Sequence, residues 1–175
     1  MWRINALKIR FIKSDRFARN MNEDRSEVIK EYEGLRKEFN LVKLEEFEKE
    51  MGVKISQGYA FGFVMEVLQN RFGSALGFIE SIFNPSNFRS MIVSKEYSDE
   101  DRNELNKFYY ELSARLSSLW KTYYLEIPER AKAFKEGYDW YIKSIKPFMK
   151  KQLEKHIGIF EKGPSKEVSS EKYMG

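Results

Sequence analysis

The chain has 175 residues, 42% of them hydrophobic and 15% aromatic, which is enough for one domain with a substantial core. It contains no cysteine, so disulfides, thiolate metal sites and a cysteine nucleophile are all excluded. The formal net charge is only +4, and the sequence lacks the run of about 18 uncharged apolar residues that a membrane-spanning helix needs. The absence of cysteine and the high lysine and glutamate content lead us to expect a cytoplasmic protein of a thermophile.

The first twenty residues form the most basic stretch of the sequence, with a net charge of +5. Apolar residues alternate with cations over residues 7–11, which is a period of two rather than a helical period. Serine is also scarce there, so the stretch is a poor match to a mitochondrial presequence. A mitochondrial location is therefore the alternative to the expected cytoplasmic one.

We therefore expect residues 1–20 to be a basic N-terminal arm. Its apolar side chains Leu7, Ile9 and Phe11 would dock on the folded domain or on a neighbouring molecule. Guanidinium groups favour bidentate contacts with phosphate, so the cations are expected to face a nucleic acid. The phosphate-binding residues predicted in the arm are Arg3, Lys8, Arg10, Arg16 and Arg19.

The first predicted helix runs from residue 23 to residue 51. Apolar side chains recur at helical spacings from Val28 to Val42, and Gly52 supplies a stop signal. The rest of its surface is rich in glutamate, which we interpret as a solvated acidic face. These glutamates are Glu31, Glu33, Glu38, Glu45, Glu46, Glu48 and Glu50.

The second predicted helix covers residues 57–83, and its apolar composition marks it as the central core helix. It ends at an Asn-Pro turn after residue 83, and Gly73 is a candidate kink. Gly73 and Gly77 stand four residues apart, a spacing that is tolerated in a helix where a neighbouring backbone comes close. We interpret Glu66 and Glu80 as structural carboxylates that Arg71 or a helix end neutralises.

Two further helices follow. Ser98 and Asp101 form an acidic version of the capping box at the start of the third helix, whose apolar seam runs from Leu105 to Tyr123. Pro128 ends that helix and begins the fourth, which Pro147 is expected to kink or split. Residues 163–175 are polar and aperiodic, and we expect a flexible tail there.

The predicted fold is all-α: a single domain over residues 21–162, built as a bundle of about four long helices. The basic arm of residues 1–20 precedes this domain, and the tail of residues 163–175 follows it.

Support for enzymatic chemistry is thin. His156 is the only histidine, and no carboxylate lies at the helical spacing of a metal site. Lys151 and His156 are spaced as in a Lys-x4-His pair, which resembles the Arg-x4-6-His motif of the helical HEPN ribonucleases. The required arginine is replaced by lysine, so a HEPN-like ribonuclease is the least favoured alternative. We predict no catalytic residue, no metal site and no cofactor.

The fourth helix carries lysines at helical spacing beside its aromatic seam. Outward-facing aromatic side chains next to them, namely Trp140, Tyr110 and Tyr124, would stack on bases. The predicted nucleic-acid-binding residues of this helix are Lys132, Lys135, Trp140, Lys143, Lys146 and Lys150.

Both ends of the folded region are thus basic while the acids lie between them. The sequence predicts a non-enzymatic helical protein that binds RNA or DNA through its phosphate backbone, without sequence preference, as a subunit of a nucleoprotein or packaging assembly. The alternative is a helical protein–protein scaffold or adaptor. In both cases we expect a protein partner or a homo-oligomer, and no membrane partner.

Overall fold

The computed structural model describes residues 25–55 and 59–162, and these residues form helices and connecting loops without a β-strand. The predicted arm of residues 1–20 and the predicted tail of residues 163–175 lie outside the described residues. The α-helices are α1 (Arg25–Phe39), α2 (Leu44–Met51), α3 (Ala60–Phe83), α4 (Phe88–Lys95), α5 (Asp99–Lys121), α6 (Ile127–Trp140) and α7 (Lys146–Lys162). The predicted all-α fold is confirmed.

Helix α3 lies at the centre of the fold, as its apolar sequence predicted. It is in contact with α1, α4, α5 and α6. Among the side chains it buries are Phe61, Leu68, Phe72 and Ile79, each with no exposed surface. Burying a large apolar side chain contributes about 1.5 to 3 kcal/mol, so α3 supplies a large share of the stabilising contacts. It is helical throughout its length, including at Gly73.

The predicted first helix is not continuous, so the expectation of about four long helices is wrong in this detail. The chain leaves α1 at Asn40, which has a left-handed φ of 52°. Asparagine tolerates this conformation because its short side chain bonds locally. The break turns Leu41 into the core, where it is 5% exposed, and Gly52 ends α2 in the left-handed conformation, as predicted.

A short helix, α4, was missed by the sequence analysis. Asn87 begins it with a reciprocal capping box, in which the Ser90 amide donates to the Asn87 side chain at 2.9 Å. The Ser94 hydroxyl then donates to the Ile82 carbonyl of α3 at 2.7 Å, and Arg102 of α5 donates to the Ser94 hydroxyl at 2.9 Å. These polar contacts attach α4 to α3 and α5. Eight residues with weak amphipathicity give little periodic signal to predict it from.

The predicted capping box at the start of α5 is confirmed. The Ser98 amide donates to the Asp101 carboxylate at 2.9 Å, and the Asp101 amide donates to the Ser98 hydroxyl at 3.2 Å. Asp101 also pairs with Lys155 of α7, and the hydrogen bond from Lys155 lowers the pKa of the Asp101 carboxyl group. One carboxylate therefore begins α5 and holds α7 against it.

The predicted disruption at Pro147 takes the form of a π-helical turn over Tyr141–Ile145, between α6 and α7. Proline has no amide proton and clashes with the carbonyl four residues earlier, so a wider turn before it relieves the conflict. The Lys146 amide accordingly donates to the Tyr141 carbonyl, five residues back. The helix is disrupted but not split.

One glutamate of the predicted solvated face is buried, which corrects that prediction for Glu48. Glu48 is 9% exposed. Both of its carboxylate oxygens accept hydrogen bonds from Arg25, each at 3.0 Å, and one also accepts from the Ile55 amide at 2.7 Å. Arg25 also donates to the Ile55 carbonyl. The pair joins the start of α1, the end of α2 and the segment that leads to α3.

Gly137 of α6 packs tightly against leucine side chains of α5 and α3. A Cβ atom there would lie 3.1 Å from a methyl group of Leu119 and 3.2 Å from one of Leu68. We expect Gly137→Ala to lower the free energy of unfolding by about 1 kcal/mol, because both leucines are buried and must shift. Gly34 on α1 has open space around it. Gly34→Ala should therefore raise the free energy of unfolding by about 0.5 to 1 kcal/mol.

Urea unfolding of both variants measures the difference. Equal stabilisation by the two alanines would show that the three helices do not approach as closely at Gly137 as described.

The Arg25–Glu48 pair predicts a pH-dependent contribution to stability. The hydrogen bonds from Arg25 lower the pKa of Glu48 in the folded state. Its contribution is therefore complete above the pKa of the unfolded chain and is lost as the pH falls through the folded-state pKa. We expect Glu48→Gln to lower the free energy of unfolding by about 1.5 kcal/mol at pH 7 and by much less in acid.

Chemical unfolding at several pH values measures this change. Glu46→Gln is the matched control, since Glu46 is exposed on the same helix and its nearest cation, Lys43, lies 3.7 Å away. A loss at Glu48 that is the same in acid and at pH 7 would contradict the role of its charge.

Candidate interaction surfaces

The lysines predicted to bind nucleic acid do not form one free strip. Lys146 pairs with Glu50 of α2 at 2.7 Å, and this hydrogen bond raises the pKa of Lys146. Lys150 lies 3.8 Å from Glu154, one turn further along α7. In contrast, Lys132, Lys135 and Lys143 have no carboxylate within ion-pair distance among residues 25–55 and 59–162.

The π-helical turn also changes which lysines share a face. The predicted strip assumed an unbroken period of 3.6 residues from Lys132 to Lys150. A π-helical turn accommodates one extra residue, so α7 is rotated relative to α6 by about the 100° that one residue spans. Lys146 and Lys150 therefore do not continue the line of Lys132 and Lys135.

Trp140 packs inside an aromatic cluster, so the expectation that it faces outward is wrong. Its ring is stacked on Phe108, with centroids 5.5 Å apart and planes at 15°, and it lies 5.5 Å from Phe72. The guanidinium of Arg115 lies over the same indole, 4.6 Å from its centroid. These neighbours cover much of the indole ring of Trp140, which leaves little ring surface on which a base could stack.

The residues of the Lys-x4-His pair have separate partners. Lys151 pairs with Glu104 of α5 at 2.8 Å. The ring of His156 lies 5.7 Å from that of Phe78 and 5.4 Å from that of Phe160. Burial lowers the pKa of His156, which favours the neutral imidazole. The two side chains thus point into different surroundings, unlike a paired ribonuclease centre.

A group of exposed apolar side chains lies where α5 ends and α6 begins. We call it the aromatic end. A 3-10 turn over Thr122–Tyr124 follows α5 in this region. Thr122 is the buried residue of that turn. The exposed side chains of the aromatic end are Trp120 (60%), Tyr123 (60%), Tyr124 (92%), Leu125 (41%) and Ile127 (42%).

Tyr124 is the most exposed of these side chains, and its outward orientation was predicted correctly. Tyr123 was expected in the seam of α5 but is exposed, because the chain tightens into the 3-10 turn directly after Lys121. Its hydroxyl donates to the Gln69 side chain of α3 at 2.9 Å, while the Gln69 amide donates to the Leu119 carbonyl at 3.1 Å. Gln69 therefore fixes the aromatic end against α3.

A second surface feature is an open groove between α3 and α5, which we call the α3–α5 groove. It consists of two depressions of about 690 and 550 Å³, one helical turn apart along α3. The first is lined by Glu66, Gln69, Asn70, Gly73, Ser74, Leu116, Trp120 and Tyr123. The second is lined by Gly77, Glu80, Ser81, Phe83, Asn84, Ser86, Asn106, Tyr109 and Tyr110.

The two helices that form the groove run antiparallel. Gln69 near the start of α3 bonds to Leu119 near the end of α5, whereas Glu80 near the end of α3 accepts a hydrogen bond from the Tyr109 hydroxyl at 2.8 Å. Aromatic rings therefore lie along the α5 wall, whereas the α3 wall is formed by small and polar side chains apart from Phe83 at its end. Among the described residues 25–55 and 59–162, the lining holds two carboxylates and neither lysine nor arginine.

The glycines of α3 do not serve a close helix approach among the described residues, which corrects that expectation. A Cβ atom at Gly73 or Gly77 would meet nothing within 4 Å. Arg71 does not neutralise Glu66 or Glu80 either, since it donates to the Met51 carbonyl. The pairing across 29 residues between Glu80 and Tyr109 leaves no local signal in the sequence.

The chain shows no significant match to any known protein-family model, to any curated protein or to any solved structure. Residues 25–55 and 59–162 contain no cluster of three acidic, histidine or cysteine side chains that could hold a metal ion. Within the same residues, no helix combines the length and the hydropathy needed to cross a bilayer. The geometry of the surfaces alone carries the functional argument.

Proposed function

We propose that the chain is a helical scaffold subunit that associates with a second copy of itself through the aromatic end. The observation that carries this proposal is the exposure of five large apolar side chains within eight consecutive residues, from Trp120 to Ile127. Tryptophan and tyrosine are the residues that most often dominate binding energy at protein interfaces.

The charge and shape of the surface support a second copy as the partner. Residues 120–127 contain one cation, Lys121, and one acid, Glu126, so this stretch carries no formal net charge that would repel a second copy. An apolar patch of this kind pairs with itself about a two-fold axis, which is the commonest symmetry of soluble oligomers. Contiguous exposed apolar surface of this kind marks an interaction site.

Replacing Tyr124 and Ile127, two side chains of the aromatic end that do not line the α3–α5 groove, tests this proposal. We expect Tyr124→Ser combined with Ile127→Ser to weaken the dimer by at least tenfold, since two exposed anchors of about 1 kcal/mol or more each are lost from both halves. Tyr124 is 92% exposed, so its loss should leave folding unchanged. Sedimentation velocity over a range of concentrations measures the dissociation constant.

The matched control is Phe88→Ser, which removes an aromatic side chain of similar exposure, 65%, from α4. A control that weakens the dimer equally would show that the aromatic end is not the contact. A wild-type chain that stays monomeric at every concentration would overturn the proposal.

Nucleic-acid binding is the second candidate function. It is favoured by Lys132, Lys135 and Lys143, whose ammonium groups face no ion-pair partner among the described residues. The described ranges hold nearly equal numbers of acids and cations, so most of the net positive charge comes from the basic arm. Backbone binding would then need the arm and these three lysines together.

A salt titration with single-stranded and duplex oligonucleotides tests this candidate. Replacing Lys132, Lys135 and Lys143 by glutamine should flatten the slope of log affinity against log salt for duplex DNA by about 2.7, since each lost phosphate contact contributes about 0.9. Lys146→Gln should change the slope less, because Lys146 is already paired with Glu50. Absence of binding at about 50 mM salt would exclude the candidate.

A further inference from the structure

We propose that the α3–α5 groove is a docking site for the basic arm, residues 1–20, of the same molecule. The proposal concerns a different occupant from both functions above, but it shares Trp120 and Tyr123 with the aromatic end, and an arm that occupies the groove would compete with its use in nucleic-acid binding. It rests on the open groove, on the charge and apolar content of the arm, and on the place where the described chain begins.

The groove exposes aromatic side chains that the two helices forming it do not cover. Trp120 and Tyr123 are each 60% exposed, and Tyr110 at the other end is 68% exposed. The floor between them is open, because a side chain at Gly73 or Gly77 would meet nothing within 4 Å. A segment that enters the groove would therefore bury aromatic surface on one side and contact backbone on the other.

The charge of the groove indicates which kind of segment would bind there. Glu66 and Glu80 both lie in the groove and are exposed, and Glu80 bonds only to the Tyr109 hydroxyl among the described residues. With no lysine or arginine among its described lining residues, the groove favours a cationic and apolar occupant. Residues 1–20 match this chemistry, with a net charge of +5 and apolar side chains that include Trp2, Ile4 and Phe11.

The described chain begins close enough to the groove for the arm to reach it. Arg25 bonds to the Ile55 carbonyl, and Ile55 is four residues before Tyr59, which caps α3. The groove then extends along α3 from Glu66 to Asn84, which is about 27 Å at 1.5 Å per residue. The 24 residues before Arg25 span up to about 80 Å when extended, so the arm can cover the approach and the groove.

A spin label in the arm tests the proposal on the full chain. The sequence has no cysteine, so Ser14→Cys creates a single site for a nitroxide with a near-isosteric change. Paramagnetic broadening of the backbone amide signals then shows which surface the arm visits. We expect broadening along the groove, at Gly73, Gly77 and Ser113, and none at the exposed surface of α1 or α2.

Reducing the charge of the groove should release the arm. Combining Glu66→Gln with Glu80→Gln removes two partners for cations while each glutamine keeps an acceptor oxygen. Exposed ion pairs are individually weak, so the two changes should lower the ratio of docked to free arm by about fivefold. Glu129→Gln with Glu136→Gln on α6 is the matched control, which should leave the broadening unchanged.

Three results would overturn the proposal: broadening spread over all surfaces, broadening on another helix pair, and an equal response to the control variant. A further test mixes spin-labelled protein of natural isotopic abundance with nitrogen-15 protein that carries no spin label. Broadening in that mixture would show that the arm binds a second copy, which contradicts docking within one molecule. The measured mass reports separately on the aromatic end, so failure of either proposal is distinguishable from failure of the other.

Discussion

Burial of α3 is the constraint on which the rest of the structure depends. A 24-residue helix with eleven buried positions must be covered on most of its circumference, because exposing its buried valine, leucine, isoleucine, phenylalanine and methionine side chains would cost about 1.5 to 3 kcal/mol each. Helices α1, α4, α5 and α6 supply that cover. The polar contacts act on the same helix: the Arg25–Glu48 pair fixes the segment that leads into it, Gln69 joins it to α5, and Ser94 bonds to its last turn.

The cover is incomplete on one side, and this has consequences for function. Helices α3 and α5 pack against each other, and the open α3–α5 groove lies along their contact. At one end the groove joins the aromatic end, where the chain turns from α5 into α6. The cations of α7, by contrast, are largely engaged: Lys151 and Lys155 pair with α5, and Lys146 pairs with α2. Exposed apolar surface, rather than a free basic strip, is therefore the main feature available for binding.

Local signals in the sequence predicted much of this fold. The capping box of Ser98 and Asp101, the stop at Gly52 and the disruption before Pro147 depend on neighbouring residues, and each is present. Contacts between distant residues were not predictable in this way. The periodicity that placed Glu48 on a solvated face could not show Arg25, 23 residues away, and an ideal helical wheel could not show that Trp140 meets Phe72 and Phe108. The same limit explains why the pairing of Lys146 with Glu50 was not predicted.

Native-state hydrogen exchange of the full chain tests the central position of α3 most directly. The most protected amides should be those of residues 64–79, and their exchange should require a free energy equal to that of global unfolding, because this helix cannot be exposed without loss of the whole core. Helices α1 and α7, which pack against fewer neighbours, should open at lower free energies. Greater protection in α1 or α7 than in α3, or exchange of residues 64–79 through a local opening, would contradict the account.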